Sequence, residues 1–172
     1  MQKKEENLVT DSRLYESIRN VWLKSRGHAY QAVNTTMLMA YWSIGKLIVE
    51  DEQEGKERGT YGKGILIALS ERLVKEFGAG FGVRNLQQMK KFYLFFPNTN
   101  ALRSQLSWTH YRSLLRVENQ EARDWYLKEA VKEQWSSRQL ERQIASLYYE
   151  RLLMSQHKAP VVKESKEKLA TV

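Results

Sequence analysis

Hydrophobic residues recur at intervals of three and four along most of the chain, which is the spacing of amphipathic helices. Asp11 can cap a first helix with Tyr15, Ile18 and Trp22 on one stripe, and Gly27 is expected to interrupt it. The pattern resumes in a long helix, Ala29–Glu50, through Val33, Met37, Tyr41, Ile44 and Ile48. Gly55 and Gly59 mark a turn. Leu66, Leu69, Leu73 and Phe77 form the next seam, and the run Gly78-Ala79-Gly80-Phe81-Gly82 stops it. A further helix is expected over Val83–Phe96, ended by Pro97 and Asn98-Thr99-Asn100. Ser107 can cap a helix over Trp108–Val117, and Asn119 one that runs to Trp135. Ser136 with Gln139 is a capping box for a last helix that turns Leu140, Ile144, Leu147 and Tyr148 inward. No segment alternates with period two, so no sheet is predicted.

The expected fold is all-α: about six helices with a helix-turn-helix or winged-helix-like pattern. Its domain covers residues 8–154. Residues 155–172, with Pro160 and few large apolar side chains, read as a flexible C-terminal linker. Met1–Asn7 is polar and is expected to fray; it does not read as a secretory signal. The longest apolar stretches fall far short of the roughly 20 residues that span a bilayer. The 172 residues suffice for one hydrophobic core. Together these features predict a cytoplasmic protein with no membrane partner.

The charge is uneven. Lys and Arg number 28 against 20 Asp and Glu, a formal net charge of +8. Between Phe77 and Val117 there is no carboxylate at all, while Arg84, Lys90, Lys91, Arg103, Arg112 and Arg116 fall there. An ordinary solvated face mixes the two signs. A surface that approaches phosphates excludes carboxylates, because each would be repelled. The alternative is a hairpin with few charges of either sign. The acids gather instead at Glu50, Asp51, Glu52, Glu54 and Glu57, which read as a solvated loop pointing away from any nucleic acid.

The helix-turn-helix candidate joins these two signals. Wound at 100° per residue, Val83–Phe96 places Leu86, Met89, Phe92, Tyr93 and Phe96 on one side. Arg84, Gln87, Gln88 and Lys91 take the other, with Asn85 at the border. These side chains suit base edges and phosphates, and they lie in the early turns by which recognition helices read DNA. Phe95 shares this side and is a candidate to stack, insert or pack on a neighbouring helix. Arg112 and Arg116, four residues apart, share a helix face, and Arg103 and His110 complete the candidate phosphate-contacting set. A lone histidine among aromatic residues is more often a packed structural group.

Catalytic chemistry is not apparent. There is no cysteine, which excludes a disulfide scaffold, a thiolate zinc site and a cysteine nucleophile. The histidines, His28, His110 and His157, show no metal-ligand spacing. The glycine run lacks the lysine and hydroxyl of a nucleotide-binding loop. No metal, cofactor or catalytic residue is therefore predicted.

Three stretches resemble the N-terminal domain of the YhcG family, in the PD-(D/E)xK nuclease superfamily. The first is Tyr61-Gly62-Lys63 leading to Leu69-Ser70-Glu71-Arg72-Leu73. The second joins Glu76-Phe77-Gly78-Ala79-Gly80-Phe81 to Asn85-Leu86-Gln87-Gln88-Met89-Lys90-Lys91-Phe92-Tyr93. The third is Leu106-Ser107-Trp108-Thr109-His110-Tyr111, continuing through Ala122-Arg123-Asp124-Trp125-Tyr126 to Trp135-Ser136-Ser137-Arg138-Gln139-Leu140. The resemblance implies a two-part protein, in which a helical domain that binds DNA or holds the assembly together precedes a metal-dependent nuclease domain. Glu164-Ser165-Lys166 mimics half of the nuclease motif but has no Pro-Asp partner in this sequence. The expected role is a DNA-binding and targeting module, with duplex or branched DNA, the nuclease domain and further copies of the chain as partners. The alternative is an oligomerisation or protein-interaction module without DNA contact, and RNA is a third candidate ligand.

Overall fold

The structure, a computed structural model, describes residues 2–57, 64–99, 102, 105–155 and 158–170. It is all-α: α1 (Gln2–Glu57), α2 (Ile65–Phe77), a 3-10 turn (Ala79–Phe81), α3 (Val83–Phe95), α4 (Trp108–Leu114), α5 (Gln120–Lys132), α6 (Ser137–Ala145), α7 (Tyr148–Met154) and α8 (Lys158–Ala170). No strand occurs among the described residues, so the winged variant of the helix-turn-helix has no β-hairpin there. Nor is any helix among them long and apolar enough to cross a membrane.

α1 differs most from its prediction. It runs unbroken through Gly27 and Gly55. One glycine costs a helix only about 1 kcal/mol, and neither position carries a capping signal to end it. The acid cluster Glu50–Glu57 is therefore not a loop but the last turns of α1. Carboxylates oppose the helix dipole there. Lys46, 3.6 Å from Glu50, and Lys90, paired with Glu52, offset part of that repulsion.

The second half of α1 packs on α3. Leu38, Ile48 and Val49 are buried on α1, as are Leu86, Met89 and Phe92 on α3. The backbones touch at Gly45, where a Cβ would stand 2.0 Å from the Met89 carbonyl oxygen. Trp42 Nε1 donates to the carbonyl of Phe96 at 2.7 Å, tying the end of α3 to α1. Phe92, Phe96, Trp108 and Tyr111 then form an aromatic cluster with ring centroids 4.9–5.7 Å apart, which joins α3 to α4.

The C-terminal helices follow their local signals. The Asn119 side chain accepts from Ala122 N at 2.8 Å, and Ser136 with Gln139 forms the expected capping box. The final predicted helix, however, breaks at Leu147, which adopts a left-handed φ of 51° and is exposed. Tyr148 is buried as expected, at the start of α7.

The stretch read as a linker also differs. Lys158–Ala170 forms α8, with Val161 and Leu169 packed against the core and Ser165 buried beside Gln143, whose Nε2 donates to its hydroxyl. Arg151 pairs with Glu164 at 2.9 Å. Pro160 falls in the first turn, where a helix N–H has no partner in any case. The apolar residues here are few, but at helical spacing they suffice to dock one face.

Candidate nucleic-acid interface

α2, the glycine-rich turn and α3 form a helix-turn-helix-like unit. Gly78 takes a φ of 89°, which a side chain would resist, and the chain turns through the 3-10 segment. Ser70, buried on α2, donates to the Phe81 carbonyl at 3.0 Å and fixes the turn from one side. Asn85 donates to the Gly80 carbonyl at 3.1 Å and fixes it from the other. Asn85, a candidate base reader, thus spends its amide within the turn.

On α3, Arg84 and Gln87 are exposed at its first turns. Neither makes an ion pair among the described residues. Gln88 is half-buried, and its Oε1 is a buried acceptor without a partner among the described residues. Lys91 lies 2.6 Å from Glu118 and 4.7 Å above the Phe95 ring. Phe95 neither projects nor inserts; Arg123 lies against it at 4.0 Å.

The remaining cations are dispersed in role. Arg116 pairs with Glu141 at 2.6 Å, and Lys90 pairs with Glu52. Arg112 is half-buried and makes no ion pair among the described residues. Arg103 lies outside the described residues. Lys90, Lys91 and Arg116 each meet a carboxylate 25 or more positions away in the chain. The acid-free window is therefore not acid-free in space. The exposed Lys91–Glu118 and Arg116–Glu141 pairs contribute about 0–1 kcal/mol each, so a phosphate can displace those glutamates, but the local potential is lower than the window's own charges give.

His110 is occupied by the fold. Its Nδ1 accepts from Ser107 N at 3.1 Å in the capping box of α4, and its Nε2 sits 3.0 Å from the Trp135 carbonyl. A ring that accepts at Nδ1 and donates from Nε2 is the neutral tautomer. Burial holds its pKa below the ordinary histidine value, outweighing the opposite effect of the Trp135 carbonyl. Both nitrogens are spent inside the molecule, which corrects its assignment as a phosphate donor.

Two features were not read from the sequence. Arg123 is a buried cation whose Nη1 donates to the Val117 and Glu118 carbonyls at 2.8 and 3.2 Å. Desolvation lowers its pKa, with Asp124 and Glu118 acting against that. Glu52, Glu118 and Glu141 are the acids that meet the basic window. Each pairing joins residues far apart in sequence, so neither spacing nor composition signals it. Among the described residues no group of three His, Asp or Glu side chains gathers as metal ligands would.

Residues 17–151 match the DUF1016 N-terminal domain family. The chain is also 33% identical over 183 aligned residues to the Escherichia coli (strain K12) protein named "Putative nuclease YhcG", covering 88% of this chain and 49% of that one. It thus spans about half the length of that relative. No solved structure matches it. The chain belongs to the DUF1016 N-terminal domain family, the N-terminal domain of YhcG-like proteins.

Proposed function

We propose that this chain is a DNA-binding and targeting module of a YhcG-like nuclease, non-catalytic in itself, that acts beside a nuclease domain. The observation that carries this is the start of α3: Arg84 and Gln87 stand exposed on its first turns, straight after a helix-turn-helix-like bend. The matched relative carries the name "Putative nuclease YhcG", and a nuclease must hold a polyanion. In this reading Gln87 and Gln88 face bases, while Arg84, Arg112 and Arg103 contact phosphates. Lys91 and Arg116 join them by exchanging Glu118 and Glu141 for phosphate oxygens.

Three to five phosphate contacts give a log–log salt slope of about −3 to −4.5 on duplex DNA. The variant Arg84→Glu/Lys91→Glu/Arg112→Glu/Arg116→Glu is expected to lose binding in a low-salt titration while keeping the parent's circular dichroism. Binding equal to the parent's would overturn the proposal. Sequence preference, where present, is expected to respond to Gln87→Ala and Gln88→Ala and not to loss of a phosphate-contacting arginine. A second reading, assembly without DNA contact, is favoured by the exposed apolar stripe of α1. DNA-independent oligomers that bind neither duplex nor structured RNA at low salt would favour it.

A further inference from the structure

Residues 12–33 of α1 meet nothing else among the described residues and are exposed throughout. Most helical stability in proteins comes from packing an apolar face, and this segment has such a face without a neighbour. Leu14, Tyr15, Ile18, Val21 and Trp22 are each at least 59% exposed, as are Val33 and Leu47 further along. At 100° per residue they share the side of α1 opposite Leu38, Gly45 and Val49, which face the core. The stripe runs into an apolar groove of about 550 Å³ between α1 and α2, lined by Ile44, Leu47, Ile65 and Leu69 among others.

We propose that this stripe is the interface of an antiparallel dimer, its occupant the α1 of a second copy. Three features select that partner and direction. First, the sizes along the stripe mirror about position 34. Small residues Ser25, Ala29 and Ala32 precede it, and Thr36, Ala40 and Ser43 follow it, all exposed. Antiparallel pairing sets Ala29 against Ala40, Ser25 against Ser43 and Ala32 against Thr36, which lets the backbones approach closely. The Thr36 hydroxyl is already satisfied by the Ala32 carbonyl at 2.9 Å. The same register sets Trp22 against Leu47 and carries the partner's apolar end along the groove between α1 and α2.

Second, the charges disfavour the parallel direction. Residues 50–57 hold five carboxylates and one lysine, and the antiparallel register sets them against residues 11–19, where Arg13 and Arg19 balance Asp11 and Glu16. Antiparallel pairing thus gives the acidic end of each helix a neutral neighbour and adds nothing to the repulsion at the C-terminus of α1. Parallel pairing sets like against like. Third, seven large apolar side chains, each at least 59% exposed, lie along this one stripe, and monomers seldom leave so long an apolar patch open. A two-fold pair of this kind is closed.

The test uses the whole chain, which has no cysteine of its own. Light scattering is expected to give twice the chain mass at about 100 µM, and Ile18→Glu/Trp22→Glu to give one chain mass with unchanged circular dichroism. Ala29→Cys/Ala40→Cys is expected to form a covalent dimer on oxidation. Ala29→Cys alone is not, since the two copies of residue 29 lie about 16 Å apart along the axis, beyond disulfide reach. A monomeric parent, a dimer indifferent to the two glutamates, or cross-linking through Ala29→Cys alone would each overturn the proposal. So would failure of the double variant to cross-link.

Discussion

A methyl group at position 45 would stand 2.0 Å from the carbonyl oxygen of Met89, and a backbone atom cannot move aside as a flexible side chain would. Gly45→Ala is therefore expected to destabilise the α1–α3 pair by about 2 kcal/mol or more, lowering Tm by roughly 5–10 °C. An unchanged Tm would show that the helices do not meet there. His110 supplies a different kind of prediction. Its folded pKa lies below the ordinary histidine value, chiefly through burial. As pH falls, the unfolded chain therefore takes up the proton first. The contribution to stability is full above about pH 6.5 and is lost as pH falls through the folded pKa. In His110→Gln the capping-box chemistry of Ser136 and Gln139 is retained at α4 without a titrating ring. Urea midpoints at pH 7.5 and 5 are expected to differ in the parent and to converge in that variant. An equal pH dependence in both would remove His110 as the cause.

At the scale of elements, the caps at Ser107, Asn119 and Ser136 were legible, because a cap is a contact across three residues, whereas the cap read at Asp11 lies inside α1, which starts at Gln2. Asn119 and the Ser136–Gln139 pair start their helices where the sequence places them. Boundaries inferred from glycine alone were not. Gly27 and Gly55 lie within α1, since a glycine weakens a helix without offering its backbone another partner. The break at Leu147 went unread for the converse reason: packing on both sides holds a leucine in the left-handed region, where its side chain gains little from burial. Leu147→Gly is expected to raise stability by about 0.5–1 kcal/mol in thermal melts, and Leu147→Val to lower it, because a β-branched side chain resists this conformation most. A drop with glycine would mean that the side chain's packing outweighs its strain. α8 belongs here too. Its composition resembles a linker, yet Val161, Ser165 and Leu169 at helical spacing are enough once α6 and α7 offer a surface.

For the whole molecule, the open question is electrostatic. Within its own span the window from Phe77 to Val117 is purely basic, but the fold brings Glu52, Glu118 and Glu141 to three of its cations. In the DNA-binding reading these acids compete with phosphate. Glu118→Gln/Glu141→Gln is then expected to tighten binding to duplex DNA by about 3- to 10-fold at low salt and to steepen the salt dependence, as freed Lys91 and Arg116 take up phosphates. No change in affinity would exclude those two cations from the interface.

The amino-acid sequence by itself determined the helical class, the capped starts of α4, α5 and α6, the apolar face of α3 and the family. All of these depend on residue types at short, regular spacing. Only the tertiary structure decided which charges stand free, that both His110 ring nitrogens are spent on Ser107 and Trp135, that α1 and α3 touch at Gly45, and that residues 12–33 of α1 meet nothing else among the described residues. Those outcomes depend on groups far apart in the chain meeting in space, and the energy of a charge or an apolar face is set by what finally lies against it.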